Sequence, residues 1–242
     1  MLAAGSATRM GRDKLQLRYK GRRVIDRAVA PFVASRLIDE VIVVVRPGFP
    51  FSMDDPKCRV VINADHQQGM GASLHAGVSA AKENADAFVV SLADMPELSV
   101  DIIAAVHQAF CRSEKPILVP VHQGRNGHPV VFAGSCREDL LRLGGDVGAR
   151  SMIREHPELV EYFPTADRAV VHDVDTAEDL TLKQMVFSDA DALREATAAL
   201  RNAAVYFETV DDAGGKGTAI AYYSFDQDKV AAVCSRGRVS EP

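Results

Sequence analysis

Short runs of β-branched residues alternate with stretches of helical apolar spacing along the first half of the chain. The runs lie at 41–45, 60–62, 88–92 and 117–119, and the helical stretches at 24–35, 72–82 and 100–111. This alternation predicts parallel strands joined by right-handed crossovers in an α/β sheet. Because the runs are largely apolar, we expect the strands to be buried on both faces. Ligands of such sheets bind outside the carboxyl ends of the strands.

A cationic segment rich in small residues stands at the start of the chain. Residues 2–14 read LAAGSATRMGRDK. Gly5 and Gly11 let backbone N–H groups approach phosphate oxygens, while Arg9 and Lys14 add fixed positive charge. The spacing differs from the Walker phosphate loop. The segment therefore predicts a different loop that binds a triphosphate.

Carboxylates at predicted strand ends suggest a metal site. Asp94 directly follows the run at 88–92, and Mg²⁺ is usually held by one or two carboxylates together with substrate phosphates. Alternation predicts that Asp173 and Asp175 share one face of a short strand. The alternative for Asp94 is a plain turn, and Asp175 or Thr176 could instead cap a helix.

Five further segments follow the first loop in a fixed order. They are QGMGASLHAG at 68–77, ADMP at 93–96, GHPV at 127–130, GDVGAR at 145–150 and DVDTAEDL at 173–180. Together with the loop they resemble the signatures of the MobA-like nucleotidyltransferase family, and within it the molybdenum cofactor cytidylyltransferases. The resemblance covers roughly residues 1–182. It implies a Rossmann-like three-layer sandwich with a mostly parallel sheet.

The resemblance also implies an activity. It points to Mg²⁺-dependent transfer of CMP from CTP to a phosphorylated acceptor, a molybdopterin that carries molybdenum, with release of pyrophosphate. Ala4 favours CTP, because guanylyltransferase relatives usually have glycine there. Alternatives are a GTP-dependent guanylyltransferase, a transferase that acts on a sugar or polyol phosphate, and a non-catalytic protein that escorts the cofactor to a molybdoenzyme.

Residue roles follow from the same resemblance. The catalytic residues are expected to be Arg9, Lys14 and Asp94, and the metal ligands Asp94 and Asp175. His128 and Arg150 are expected to contact the acceptor, although a structural turn and a surface ion pair are the respective alternatives. The nucleotide-binding residues are expected to be Leu2, Ala3, Ala4, Gly5, Gly71 and Ser73. Gly71 and Ser73 could instead form a helix start.

One departure from the family concerns the first strand. Relatives carry a full apolar strand before the loop, whereas this chain has only Met1, Leu2 and Ala3 there. A truncated first strand is therefore expected, with the true start upstream or another segment in its place.

Residues 183–242 lie beyond the resemblance and are expected to form a C-terminal extension of unknown role, after a nucleotidyltransferase domain at 1–182. A helix at 189–203 and a hairpin formed by 205–210 and 219–225 are predicted there. The sequence GGKGT at 214–218 resembles a phosphate loop in composition, but its place between two predicted strands favours a hairpin turn.

Composition limits the remaining classes of function. A net charge of −5 argues against a nucleic-acid surface, while seven basic residues against one acidic residue at 9–23 suit a small anionic substrate. The longest aliphatic run, 41–45, is too short to span a membrane, and the start does not resemble a signal peptide. Four cysteines without metal-like spacing suit reduced thiols. A cytoplasmic protein without a membrane partner is expected.

Overall fold

The chain forms two compact units. The computed structural model describes residues 1–5, 13–145, 148–176, 178–187, 190–211, 218–234 and 238–240. We call Met1–Leu17 with Arg22–Val174 the N-terminal unit, and Arg18–Gly21 with Asp175–Pro242 the C-terminal unit. No helix within the described ranges has the length and apolar character that crossing a membrane requires.

The first part of the chain supplies mostly short strands. They are β1 (Leu2–Ala3), β2 (Arg18–Tyr19), β3 (Arg22–Arg23), β4 (Val41–Val45), β5 (Cys58–Ile62), β6 (Ala87–Val90), β7 (Ile117–His122), β8 (Arg125–Asn126), β9 (Val130–Ala133) and β10 (Val160–Pro164). β1 pairs in parallel with β4, and β4 pairs in parallel with β5. These three strands form one part of the sheet, and a second part has the strand order β10-β7-β9-β6.

Leu2 joins these two parts of the sheet. Its N–H donates to the carbonyl of Ser91 at 2.9 Å, and its own carbonyl accepts from the N–H of Ala93 at 3.0 Å. β9 runs antiparallel to both β6 and β7, whereas β10 runs parallel to β7. The predicted α/β class with a mostly parallel sheet is confirmed, and the two-residue β1 matches the expected short first strand.

Helices pack against this sheet. They are α1 (Val24–Ala34), α2 (Met70–Ala80), α3 (Val100–Arg112), α4 (Arg137–Arg142) and α5 (Ala149–Glu155). The first three lie within two residues of their predicted bounds. Pro31 lies inside α1 and does not end it. Ser99 is the N-cap of α3, because its hydroxyl accepts from the N–H of Ile102 at 3.2 Å.

The core of the N-terminal unit lies between strands and helices. Phe132 of β9, Ile117 of β7 and Leu140 of α4 are fully buried in one cluster with Leu74 of α2 and Ile153 of α5. A buried residue of this size contributes about 1.5–3 kcal/mol. The cluster also contains Phe88 and Val90 of β6, so it fixes the strand that precedes Asp94.

Two expectations about strands were wrong. β5 is not buried on both faces: its Val60 and Ile62 side chains are 37% and 65% exposed, because β5 is the last strand in its part of the sheet. The strand expected near Asp173 is a 3-10 turn at Arg168–Val171 followed by irregular chain. The N–H of Val174 donates to the carbonyl of Asp94 at 2.8 Å instead of extending a sheet.

The C-terminal unit has its own sheet. Its elements are β11 (Leu182–Phe187), α6 (Ala190–Asn202), β12 (Glu208–Asp211), β13 (Thr218–Tyr223), α7 (Gln227–Val233) and β14 (Arg238–Ser240). The antiparallel order β12-β13-β11-β14 is that of a ferredoxin-like βαββαβ unit. The predicted helix and hairpin are confirmed, and β11, α7 and β14 are additional.

Arg18–Gly21 belongs to the C-terminal unit although it is distant in sequence. The ring centroids of Tyr19 and Tyr223 are 4.5 Å apart. The Lys20 Nζ atom lies 2.6 Å from a carboxylate oxygen of Asp226, and both side chains are at most 5% exposed. Ring packing and a buried ion pair therefore fix this segment within the unit.

Candidate active site

Three candidate site residues follow strands at the same edge of the N-terminal sheet. Gly5 comes after β1, Arg46 directly follows β4, and Asp94 comes after β6. Because β1 is parallel to β4 and forms a parallel bridge from Leu2 to Leu92, these groups share the carboxyl edge. This is the edge where sheets of this kind bind ligands.

Lys14 and Asp94 form an ion pair at this edge. The Lys14 Nζ atom lies 2.8 Å from Asp94 Oδ2, and each side chain is 19% exposed. Lys14 opens a 3-10 turn, Lys14–Gln16, whose N-cap is Asp13. An Asp13 carboxylate oxygen accepts from the N–H of Leu15 at 3.2 Å, which fixes the start of the turn. Two residues predicted to be catalytic are thus in direct contact.

A second carboxylate lies beside Asp94. Asp173 and Asp94 each offer an oxygen, and these oxygens lie within 4.8 Å of one another. Asp94 Oδ1 is buried, and no hydrogen-bond partner reaches it from the described residues. A buried carboxylate oxygen without a donor is costly, and a hard divalent cation such as Mg²⁺ would satisfy it. The donor set therefore fits a divalent cation.

Asp175 begins the second segment of the C-terminal unit, Asp175–Pro242. Its N–H donates to Asp179 Oδ2 at 3.0 Å, and the N–H and hydroxyl of Thr176 donate to the same oxygen at 2.8 and 2.9 Å. The Thr176 hydroxyl in turn accepts from the N–H of Asp179 at 3.4 Å. This exchange organises the turn Glu178–Leu180. The role of Asp175 as a metal ligand stays a prediction.

A cleft of about 470 Å³ in the N-terminal unit contains both residues predicted to bind an acceptor. Its lining includes His128 and Arg150 together with Asp173, and Leu2 of β1 contributes to the apolar part. Arg125 and Arg154, which the sequence analysis did not single out, add two further cations. The cleft can therefore accept a ligand that has both an apolar ring and negative charge.

His128 is held by backbone contacts at this cleft. Its N–H donates to the Val170 carbonyl at 2.7 Å, and its Nδ1 lies 3.3 Å from the Val90 carbonyl. Burial lowers the pKa of His128, the Val90 bond and Asp94 act in the opposite direction, and Arg150 lowers it further. A neutral imidazole that donates from Nδ1 leaves Nε2 as an acceptor.

Gly71 and Ser73, both predicted to bind the nucleotide, have protein partners. The Gly71 N–H donates to the Gly145 carbonyl at 2.8 Å, and a Cβ at position 71 would lie 2.7 Å from the carbonyl carbon of Gly144. Position 71 therefore requires glycine, because any side chain would collide with the backbone at 144–145. Ser73 is buried, and its hydroxyl accepts from Asn63 Nδ2 at 3.1 Å. Their nucleotide-binding role stays a prediction.

The remaining predicted residues belong to the first loop. Ala3 and Ala4 are 1% and 2% exposed, so their side chains are buried, and their nucleotide-binding role stays a prediction. The Gly5 carbonyl accepts from Arg46 Nη1 at 3.4 Å. Arg9 lies outside the described residues. Arg46 was missed by the sequence analysis, although it follows a predicted strand just as Asp94 does.

Comparison with known proteins bears on this arrangement. Residues 1–160 match the family described as MobA-like NTP transferase domain. The nicotine blue oxidoreductase of Paenarthrobacter nicotinovorans is 31% identical over 74% of this chain and 92% of its own length. The purine catabolism protein PucB of Bacillus subtilis is 30% identical over 77% and 95%. The molybdenum cofactor cytidylyltransferase of Escherichia coli is 24% identical over 75% and 93%.

Solved structures share the fold. Rv0371c of Mycobacterium tuberculosis superposes with a TM-score of 0.61, at 23% identity, over 72% of this chain and 90% of that one. A complex of Rv0371c with manganese superposes with a TM-score of 0.55, at 21% identity, over 68% and 85%.

Proposed function

Because the chain belongs to the MobA-like NTP transferase family, we propose that it transfers CMP from CTP to the phosphate of a molybdopterin-type acceptor, releasing pyrophosphate. The family makes it a nucleotidyltransferase, and the proposal concerns the nucleotide, the acceptor and the residues. The observation that carries it is the position of Asp94 at a strand end, between the ammonium of Lys14 and the carboxylate of Asp173.

The reaction needs no covalent enzyme intermediate. An acceptor phosphate oxygen forms a bond to the α-phosphorus of CTP, the bond from that phosphorus to the bridging oxygen breaks, and pyrophosphate leaves with the electron pair. The protein must align these groups and neutralise negative charge. Lys14 is suited to the triphosphate because a compact ammonium binds phosphate as a point charge. Arg9 stays the second predicted cation.

A divalent cation fits the same place. Asp94 and Asp173 would hold Mg²⁺, which when bound would neutralise the charge of the phosphates. Asp94 Oδ1, which has no hydrogen-bond partner among the described residues, supports this assignment, and so does the manganese complex of Rv0371c.

The cleft next to Asp173 is the proposed acceptor site. Arg150, Arg125 and Arg154 supply positive charge for a phosphate, and the apolar lining suits a ring system. His128 Nε2 can accept a hydrogen bond from a ring N–H. The named activity of the Escherichia coli relative supports a molybdopterin-type acceptor.

Individual residues argue against two other activities, that of a guanylyltransferase and that of an oxidoreductase. The alternative nucleotide is GTP, which a guanylyltransferase would use, and Ala4 favours CTP over it. The oxidoreductase name of one relative would call for a redox cofactor. At 69–74 the pattern GMGASL has Leu74 where the dinucleotide fingerprint requires its third glycine, which argues against a nicotinamide site there.

The test is pyrophosphate release from each of the four nucleoside triphosphates with a molybdopterin-type acceptor and Mg²⁺. We expect release with CTP, and a loss of about 100-fold or more in Asp94→Asn because an electrostatic contact is removed. Asp139→Asn is the control, since that carboxylate is 57% exposed and pairs with Arg142.

Preference for GTP would establish the guanylyltransferase alternative. No release with any pair would contradict the proposal, and acceptor binding without turnover would then favour a cofactor escort.

A further inference from the structure

Arg46 contacts Gly5 and Asp13, which lie on either side of residues 6–12 in the sequence. Val45 is the register partner of Ala3, so Arg46 leaves β4 close to the point where the chain leaves β1. Its Nη1 donates to the Gly5 carbonyl at 3.4 Å, and its Nη2 pairs with Asp13 Oδ2. Gly5 and Asp13 are the described residues on either side of 6–12.

We propose that Arg46 is a positioning residue for nucleotide binding, acting through Asp13 on Lys14. The inference rests on the proposed function for the identity of the ligand. Asp13 uses both carboxylate oxygens: one accepts from the N–H of Leu15, and the other pairs with Arg46. The orientation of Asp13 thus sets the start of the turn that carries Lys14.

The guanidinium group is suited to this task. Arginine presents several donors in one plane, so it can contact acceptors on two chain segments together, whereas lysine is a point donor. The Phe49 ring centroid lies 4.9 Å from the Arg46 Cζ atom and supports the guanidinium on one side. The Arg46 and Asp13 side chains are 25% and 17% exposed, so water screens the pair only in part. The contact of Arg46 with the Gly5 carbonyl, at 3.4 Å, is longer and contributes less than the pair with Asp13.

The test has one readout without nucleotide and one with it. Amide hydrogen exchange of Leu15 reports directly on the bond to Asp13. In Arg46→Met we expect this exchange to be about tenfold faster, the factor expected when a charge-assisted hydrogen bond of ordinary strength is lost. Binding of CTP, measured by calorimetry with Mg²⁺, should weaken by a similar factor, with a smaller change in kcat than in KM.

A mutant cycle separates this role from a general loss of structure. Asp13→Asn should show the same weakening of CTP binding, and the double variant should be no weaker than either single variant. Arg46→Lys should recover part of the affinity because it restores the charge. Arg59→Met is the matched control: it removes an arginine from the neighbouring β5, where Arg59 pairs with Glu40. Its CTP binding should equal that of the unaltered protein.

The outcomes distinguish the positioning role of Arg46 from the proposed nucleotidyltransferase function. Unchanged Leu15 exchange in Arg46→Met would overturn the positioning role, as would additive effects of the two single variants on CTP binding. If the unaltered protein binds no nucleoside triphosphate, the proposed function fails, and Leu15 exchange still decides whether Arg46 fixes the turn.

Discussion

Replacing Lys14 by methionine removes the ammonium beside Asp94 while keeping most of the side-chain length. At a separation of 2.8 Å, the attraction of the two charges is about 6 kcal/mol for an effective dielectric constant of about 20. Dehydration of both groups opposes most of this gain, and the 19% exposure of each side chain screens the rest. We therefore expect the free energy of unfolding to fall by about 1–3 kcal/mol when no divalent cation is present.

The same substitution lowers stability but should strengthen the binding of a divalent cation. Lys14 occupies one oxygen of Asp94, so in the nucleotide-free protein it competes with the cation for that carboxylate. Lys14→Met should bind Mn²⁺ about tenfold more tightly, which corresponds to about 1.4 kcal/mol. Saturating Mn²⁺ should then restore much of the lost stability through linkage. With CTP present, the same variant should raise KM, because the triphosphate loses a cation.

Urea unfolding with EDTA or with Mn²⁺ measures these differences, and calorimetry gives the affinity. Arg142→Met is the control, since Arg142 forms a pair that is mostly exposed and should change stability by less than about 0.5 kcal/mol. Weaker or unchanged Mn²⁺ binding in Lys14→Met, or an equal loss of stability with and without the cation, would refute this reasoning.

Three further predictions concern packing and charge. Gly71→Ala should lower the free energy of unfolding by about 1–3 kcal/mol, because the new Cβ meets backbone at 144–145, and urea unfolding checks this. Burial lowers the pKa of His128, so the unfolded chain binds its proton first and the stability of the unaltered protein should fall as pH drops below about 6.5. His128→Gln should flatten that part of the pH profile; an identical profile would contradict the assignment. Asp226→Ala leaves the Lys20 ammonium buried without this carboxylate. The free energy of unfolding, measured with urea, should fall by about 3 kcal/mol, whereas a fall below about 1 kcal/mol would show that water reaches the pair.

Local periodicity predicts much of the fold, but not the place of each strand in the sheet. The helices α1, α2 and α3 and the strand β4 follow from spacing and β-branched residues, which act within the segment itself. The residues of β5 look like those of a buried strand, yet Ile62 is exposed because β5 is the terminal strand in the order β1-β4-β5. Val170 and Val171 favour a strand by composition, but a 3-10 turn and the bond from Val174 to Asp94 decide the local structure.

The site is predictable where a single strand end defines a residue. Asp94 follows from the rule that ligands bind at the carboxyl edge, and the same rule applied to β4 would have found Arg46. The contact between Lys14 and Asp94 depends on long-range packing, which spacing does not encode. The same holds for the inclusion of Lys20 in the C-terminal unit, whose partner Asp226 lies near the other end of the chain.

The most direct test of the account is divalent cation binding in the presence of a non-hydrolysable CTP analogue. Calorimetry with Mn²⁺ should show one tight site in the unaltered protein, and Asp94→Asn and Asp173→Asn should each weaken it by about tenfold or more. Asp139→Asn should bind as the unaltered protein does. If Mn²⁺ binds equally well after either substitution, then Asp94 and Asp173 do not hold the cation that the nucleotide requires, and the proposed site is wrong.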